Sequence, residues 1–524
     1  MKPLTSSVFS FEKLRKEGFC YVDKTEYLWQ LIRNSGESYF LARPRRFGKS
    51  LTVSTLKAIF EGRKELFEGL ALYDKPYDWK KYPVLHLSLG DYNPMNDTPD
   101  KLNRYLVQKV CQLARTRHIE PLVSDDPSAI LGQLIDTLSE NGGQVVILID
   151  EYDKPLLDNV LNPDIANLQR TLKGFYGVLK DRNAEERFLF ITGVSKFSHV
   201  SLFSELNNLT DISMDARFAT MLGYTQQELE ANFPDYLEQA AANNHLSMDE
   251  CKEKVKAWYN GFRFHANSAT VYNPVSIAKF FEQGGEFRNY WFSTGTPAFL
   301  LDVMKKKSFD LESVLAKPLS GFAFDAYEVE RIDPLALLLQ TGYLTIGRTE
   351  QRYSGLSYYL CFPNLEVKGS FQTYLASDYS GINVGAVDST IYRLADAVRD
   401  GEVDTFMETM KTFFAKVPYD LHMKSENNFQ VLFYSIFLLL GINIAAESRT
   451  NAGRIDAVAQ NEDFVFVFEF KLNRSGEIAL DQIKDRDYYR RYMDSGKRIV
   501  LVGANFDPTS GQLSDWKSEE VKTR

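Results

Sequence analysis

The apolar run SYFLAR (38–43) passes through PRRF into the helical stretch that begins at Gly48-Lys49-Ser50 and continues to Phe60. A strand that turns into a helix at such a loop limits the fold more than any other feature of the 524 residues. It aims successive backbone N–H groups and the positive end of a helix at one point, where anionic oxygens can sit. The phosphate-loop pattern G-x-x-x-x-G-K-[ST] opens on a glycine, and here that position is Arg43. Arginine lacks glycine's backbone freedom and Pro44 stiffens the next step, so the loop entry is expected to be differently shaped. The expected phosphate-facing set is Arg43, Pro44, Arg45, Arg46, Phe47, Gly48, Lys49 and Ser50. In it Lys49 would reach the outer phosphates and Ser50 would hold Mg²⁺.

Around this loop, over roughly the first 220 residues, apolar runs alternate with helical stretches. PVLHLSL (83–89), QVVILID (144–150) and RFLFITGV (187–194) read as further strands, and Ile165 to Arg182 reads as a helix. That alternation predicts an α/β domain with a parallel sheet covered by helices. From Gly223 to Asp400 aromatics become frequent and strand signals sparse, with WYNGFRF (258–264) and VYNPVSIAKFF (271–281) prominent. A mostly helical middle region with some small strands is expected there. The remainder reads helix, strand, turn, strand, helix, strand. Three domains are therefore expected, 1–222, 223–400 and 401–524, since the chain is too long for one core.

VVILIDEYD (145–153) is an apolar strand ending in Asp150-Glu151. This is the place and chemistry of a Walker B element, in which Asp150 supports the Mg²⁺ shell and Glu151 polarises the attacking water. Two acids after a buried strand are by themselves compatible with solvated loop residues. Together with the loop, in this order, they point to ATP. The next strand ends in ITGVSKFS (191–198), where Thr192 or Ser195 would position the water or read the γ-phosphate. A strand-end hydroxyl capping the following turn is the equal alternative. Arg45, Arg46 and Arg217 are candidates for an arginine finger, and none carries the assignment. Ring assembly is therefore not implied, and a homo-oligomer stays open.

A second constellation lies in GRIDAVAQNEDFVFVFEFKLN (453–473). Phe464, Phe466, Phe468 and Phe470 alternate with Val465, Val467, Glu469 and Lys471, so a period-2 strand puts Glu469 beside Lys471 on one face. A fold-back at Asn461-Glu462-Asp463 sets Asp456 across from Glu469, within a residue of register. Two carboxylates and an ammonium at one point are what metal-dependent phosphodiester cleavage needs. Glu426 would add a further ligand, and Gln482, on the following helix, would orient the site. The same spacing also serves a surface ion pair between Glu469 and Lys471.

Six stretches run nearly end to end: FEKLRKEGFCYVDKTEYLWQLI, YFLARPRRFGKSLTVSTL, VVILIDEYDKPL, ITGVSKFSHVSLFSELNNLTDIS, WYNGFRF with VYNPVSIAKFF, and GRIDAVAQ with FVFEFKL and ALDQI. In them the chain resembles the bacterial AAA-ATPase-like family fused to a PD-(D/E)XK nuclease domain. The resemblance implies a P-loop NTPase sheet of the additional-strand type, a helical middle and a C-terminal α/β restriction-endonuclease-like domain. It implies phosphate contacts at Lys49 and Ser50, an acidic pair at Asp150 and Glu151, and a nuclease set of Asp456, Glu469 and Lys471 supported by Gln482. It also makes RPRRFGKS the family's own form of the loop. YVDKT (21–25) matches a family marker, with a place near the nucleotide base and a structural turn both open. The first nuclease Asp departs from the pattern in following GRI rather than a proline.

The formal net charge of −9 argues against a wholesale basic surface, though a local patch can still bind nucleic acid. KDRDYYRRYMDSGKR (484–498) is such a candidate and reads equally as an ordinary helix face. Cys20, Cys111, Cys251 and Cys361 are scattered, with no metal or disulfide spacing, which fits a reducing cytoplasm. MKPLTSSVFSFEKLRKEG lacks the apolar core of a signal peptide. FQVLFYSIFLLLGINIAA (429–446) is too short before Gly441 to span a membrane and is expected to be a core helix. The function expected is an ATP-binding and ATP-hydrolysing switch controlling a Mg²⁺-dependent nuclease, with Mn²⁺ able to serve at the nuclease site. DNA is favoured over RNA as partner, in defence against foreign DNA. The alternative is a nucleotide-gated sensor or interaction protein whose C-terminal domain binds nucleic acid or a partner without cutting.

Overall fold

The computed structural model describes residues 1–93, 97–196, 202–203, 206, 208–291, 300, 315, 317–321, 334–353, 355–417, 436, 448–450, 453–455, 457–460, 463–472, 474–507 and 512–521. The chain divides into two compact units, Met1–Val367 and Lys368–Arg524.

The first unit is built on strands β1 (Glu37–Ala42), β2 (Val84–Ser88), β3 (Val145–Asp150), β4 (Glu186–Gly193) and β5 (Leu209–Asp211). They form one sheet in the order β2-β3-β4-β1-β5, and every neighbouring pair is parallel. β3 and β4 are buried along their whole length, which is why each reads as an uninterrupted apolar run. β4 lies between β1 and β3, the arrangement of an additional-strand P-loop sheet. The register aligns Leu41, Thr192, Asp150 and Ser88 in a row across the strand ends. Ligands of open parallel sheets sit outside such C-terminal ends.

The helix after β3 runs Ile165–Gly177 and is followed by a short 3₁₀ turn at Lys180–Arg182, so it stops earlier than the sequence reading. Gly174 and Gly177 weaken its last turns, and Arg182 turns aside to a two-pronged contact with Asp136. The middle segment is mostly helical, with Gln226–Asn232, Pro234–Asn243, Met248–Tyr259 and Pro274–Glu282. Thr225 and Ser247 open their helices with capping boxes, and Asn273 caps the fourth. A core of aromatics, including Phe233, Tyr259, Phe280 and Tyr290, holds these helices together. A small sheet of β6 (Leu319–Ser320), β7 (Thr345–Arg352) and β8 (Gly355–Cys361) follows. Helix Leu365–Ser380 begins at the end of this unit. In its first turn the fully buried Glu366 accepts from the backbone N–H groups of Tyr290 and Trp291 and from the Ser276 hydroxyl.

In the second unit a ribbon of β9 (Ser448–Thr450) and β10 (Gly453–Ile455) precedes a four-stranded sheet. That sheet runs β11 (Ala457–Gln460), β12 (Phe464–Leu472), β13 (Arg498–Phe506) and β14 (Leu513–Val521), with β12 and β13 parallel and the outer pairs antiparallel. β12 has two unlike faces. Phe464, Phe466 and Phe468 pack with Phe406, Met410, Phe413 and Phe414 of helix Val403–Ala415, their rings about in line at 5.6 and 6.3 Å between centroids. Val465 and Val467 pack on the other side with Leu480 and Ile483 of helix Gly476–Asp485. Gly503 lets that helix lie close, since a Cβ there would overlap the backbone of Gly476 and Leu480.

Among the described residues no helix is long and apolar enough to cross a membrane. Of the apolar segment 429–446 only Ile436 is described, and it is buried.

Candidate functional sites

The loop after β1 answers its missing glycine. Arg43 still belongs to the ladder, its N–H donating to Gly193 O at 3.1 Å, so no left-handed backbone is needed there. The left-handed residues come later, Arg46 at φ 70° and Gly48 at φ 92°. Gly48 then starts helix Lys49–Phe60. The Arg43 side chain turns into the protein and is almost completely buried. Its guanidinium donates to the carbonyls of Ala42, Ser213 and Phe218 and lies 4.1 Å from the centre of the Phe264 ring. Burial pushes its pKa down to about 9.

Neighbouring loop residues are braced by the same middle segment. Phe47 is buried edge-on against Phe262 and Phe264, and Arg45 O accepts from Asn273 Nδ2. Lys49 is buried and donates to Arg43 O and Pro44 O, both at 2.9 Å. Burial pushes its pKa down to about 8, against the pull of Asp150, Asp153 and Glu151.

Across the sheet, Asp150 is buried, and its Oδ1 has no hydrogen-bond partner among the described residues. Glu151 sits on a left-handed bend at φ 55°, and burial, aided by Asp150's charge, raises its pKa. A cavity of about 580 Å³ is lined by the loop from Arg45 to Thr52, by Glu151, and by Cys20, Tyr21, Val22 and Lys24 of the YVDKT region. Thr192 is fully buried and donates its hydroxyl to Leu41 O at 2.7 Å, tying β4 to β1.

In the second unit Glu469 is nearly fully buried at the end of the valine face. Its Oε1 accepts from Lys471 Nζ at 2.8 Å and from Gln482 Nε2. The β11–β12 ladder runs from Gln460↔Val465 to Ala457↔Phe468, one residue short of Glu469. Asp456 and Glu426 lie outside the described residues, and among the described residues no three His, Cys, Asp or Glu side chains stand together to hold a metal.

Comparison with known proteins agrees with this fold. Residues 6–203 match the family model described as "Predicted AAA-ATPase", and residues 424–516 match that of the PD-(D/E)XK nuclease superfamily. An "Uncharacterized protein in vnfD 5'region" of Azotobacter chroococcum mcd 1 is 37% identical over 539 residues, covering 99% of both chains. The chain belongs to the AAA-ATPase-like family that carries a PD-(D/E)XK nuclease domain. No solved structure matches it.

For this AAA-ATPase-like chain, the structure brings Arg45, Arg46, Phe47, Gly48, Lys49, Ser50 and Glu151 to one cavity. Arg43 and Thr192 meet protein carbonyls instead, Arg43 contributing its own carbonyl to Lys49. Asp153 is a further acid at this cavity, outside the sequence expectation. It lines the same cavity, is fully buried, and accepts from Val194 N, Ser195 N and Ser195 Oγ. Its signal was a third acid in IDEYD, three residues beyond Asp150.

Proposed function

We propose that the chain binds and hydrolyses ATP and that its nucleotide state controls Mg²⁺-dependent cleavage of phosphodiester bonds, DNA foremost. The observation that carries this reading is that Lys49, Ser50 and Glu151 open onto one cavity of about 580 Å³, a size suited to a small-molecule ligand. On this reading Lys49 meets the outer phosphates, while Ser50 and Asp150 hold Mg²⁺. The buried Asp150 Oδ1 suits a hard cation or its water shell. Bound Mg²⁺ would neutralise charge on the phosphates. Glu151, its proton affinity raised by burial, would orient water and accept its proton.

At the second site Asp456 and Glu469 would hold Mg²⁺ or Mn²⁺, with Glu426 as a further ligand. A buried carboxylate of this kind offers the hard oxygen donors those ions take. Lys471 would face the charge that develops on the scissile phosphate, and Gln482 would fix the carboxylate of Glu469.

The test is degradation of end-labelled linear, circular and single-stranded DNA, and of RNA, with Mg²⁺ or Mn²⁺ and with or without ATP. Wild type is compared with Lys49→Ala and Lys471→Ala. Cleavage that needs both lysines supports the switch. Equal cleavage by Lys49→Ala refutes the coupling, and ATP hydrolysis without cleavage of any substrate favours a nucleotide-gated sensor. A role in defence predicts that cells expressing wild type resist incoming foreign DNA better than cells expressing Lys471→Ala.

A further inference from the structure

The turn that leaves β3 is fastened to the end of β4 by the side chain of Asp153. Asp153 Oδ2 accepts from Ser195 N and Ser195 Oγ, each at 2.7 Å, and from Val194 N at 3.1 Å. Its Oδ1 accepts from Val194 N at 3.2 Å. The turn is braced again beside it. Tyr152 N donates to Thr192 O, and Tyr152 Oη donates to Ser195 O at 2.9 Å. Gly193 leaves room for this crossing, since a Cβ there would overlap Asp153 and the Tyr152 ring. Glu151, two residues before Asp153, is held at φ 55°, a region that residues with side chains seldom enter unless their surroundings impose it. From there Glu151 lines the cavity.

We propose that Asp153 is a positioning residue for ATP hydrolysis: by clamping Val194 and Ser195 it holds the left-handed bend from which Glu151 addresses the cavity. The proposal rests on the hydrolytic reading above. Asp153 touches the cavity wall, yet its two oxygens are engaged by main-chain and hydroxyl donors of the β4 exit, so it acts through Glu151. Without the clamp the bend relaxes toward ordinary backbone, and the Glu151 carboxylate leaves its place while the backbone of the phosphate loop stays as it is.

The test is a double-mutant cycle on ATP turnover with Asp153→Asn and Glu151→Gln, accompanied by the Kd of a non-hydrolysable ATP analogue. Asp153→Asn is expected to lower kcat about tenfold or more, with analogue binding changed by no more than about threefold. In the Glu151→Gln background the same substitution is expected to lower kcat by less than about twofold, because the group it positions is already gone. An equal loss in both backgrounds, or a loss carried by analogue binding, overturns the proposal. If Asp153→Asn does not fold, Ser195→Ala replaces it. That variant keeps both main-chain donors and should show the same non-additivity at smaller amplitude, and its absence is equally decisive. Wild type that binds the analogue without turning over ATP removes the hydrolytic reading and the proposal with it. Turnover with an additive cycle removes the proposal alone.

Discussion

The ammonium of Lys49 lies 2.9 Å from the carbonyl oxygen of Arg43, so the cation at the start of the helix is held by the entrance of its own loop. On the proposed reading, a bound phosphate would have to draw it away from that oxygen and from Pro44 O. Lys49→Ala is expected to weaken ATP binding by on the order of 2 kcal/mol, about thirtyfold. Calorimetric titration checks this, and wild-type affinity in the variant would remove the loop from the nucleotide site.

Restoring the missing glycine should harm the protein. Arg43→Gly deletes a buried guanidinium and leaves the carbonyls of Ser213 and Phe218 without that donor. A loss on the order of 2–4 kcal/mol of stability is expected. The measurement is urea unfolding of both proteins, and matching midpoints would show that the anchor contributes nothing.

The pair of Glu469 with Lys471 makes a separate demand. Lys471→Ala is expected to reduce nucleic-acid cleavage at least about a hundredfold while leaving ATP binding intact. Gln482→Ala, which removes only a support of Glu469, is expected to cost roughly tenfold. Equal cleavage rates in wild type and Lys471→Ala would leave this pair as an ion pair and nothing more.

Burial pushes the carboxyl of Glu366 up to about 7, with the Trp291 N–H, the Ser276 hydroxyl and the Tyr290 N–H pulling the other way. In the unfolded chain the group titrates near 4.5. The stability it contributes is therefore complete below pH 4.5 and is lost as pH rises through about 7, a change on the order of 3 kcal/mol. Glu366→Gln lacks this titration, so wild-type stability relative to the variant should fall across that window. Denaturant unfolding at stepped pH reads it, and parallel curves for the two proteins would contradict it.

The strands were legible because parallel strands buried on both faces read as continuous apolar runs, as in VVILID and RFLFITG. Glu469 and Lys471 were legible because period-2 alternation fixes which side chains share a face. Arg43 was legible only as a departure from a pattern. Its partners Ser213 and Phe218 are 170 and 175 residues away, and no local signal points to them. The hydroxyl of Thr192 likewise finds Leu41 across 151 residues. Asp153 was not legible beside Asp150 and Glu151, because only the fold reveals that the β4 exit crosses it.

The unequal faces of β12 act as an index mark. A slip of one residue in its pairing would turn every side chain over, sending phenylalanine rings into spaces sized for Val465 and Val467. The same slip would carry Glu469 and Lys471 to the side occupied by Phe406 and Phe414. The stacked rings thus calibrate the strand. A single residue of misalignment is made too costly to occur, and the position of two charged groups is guaranteed by the bulk of their uncharged neighbours.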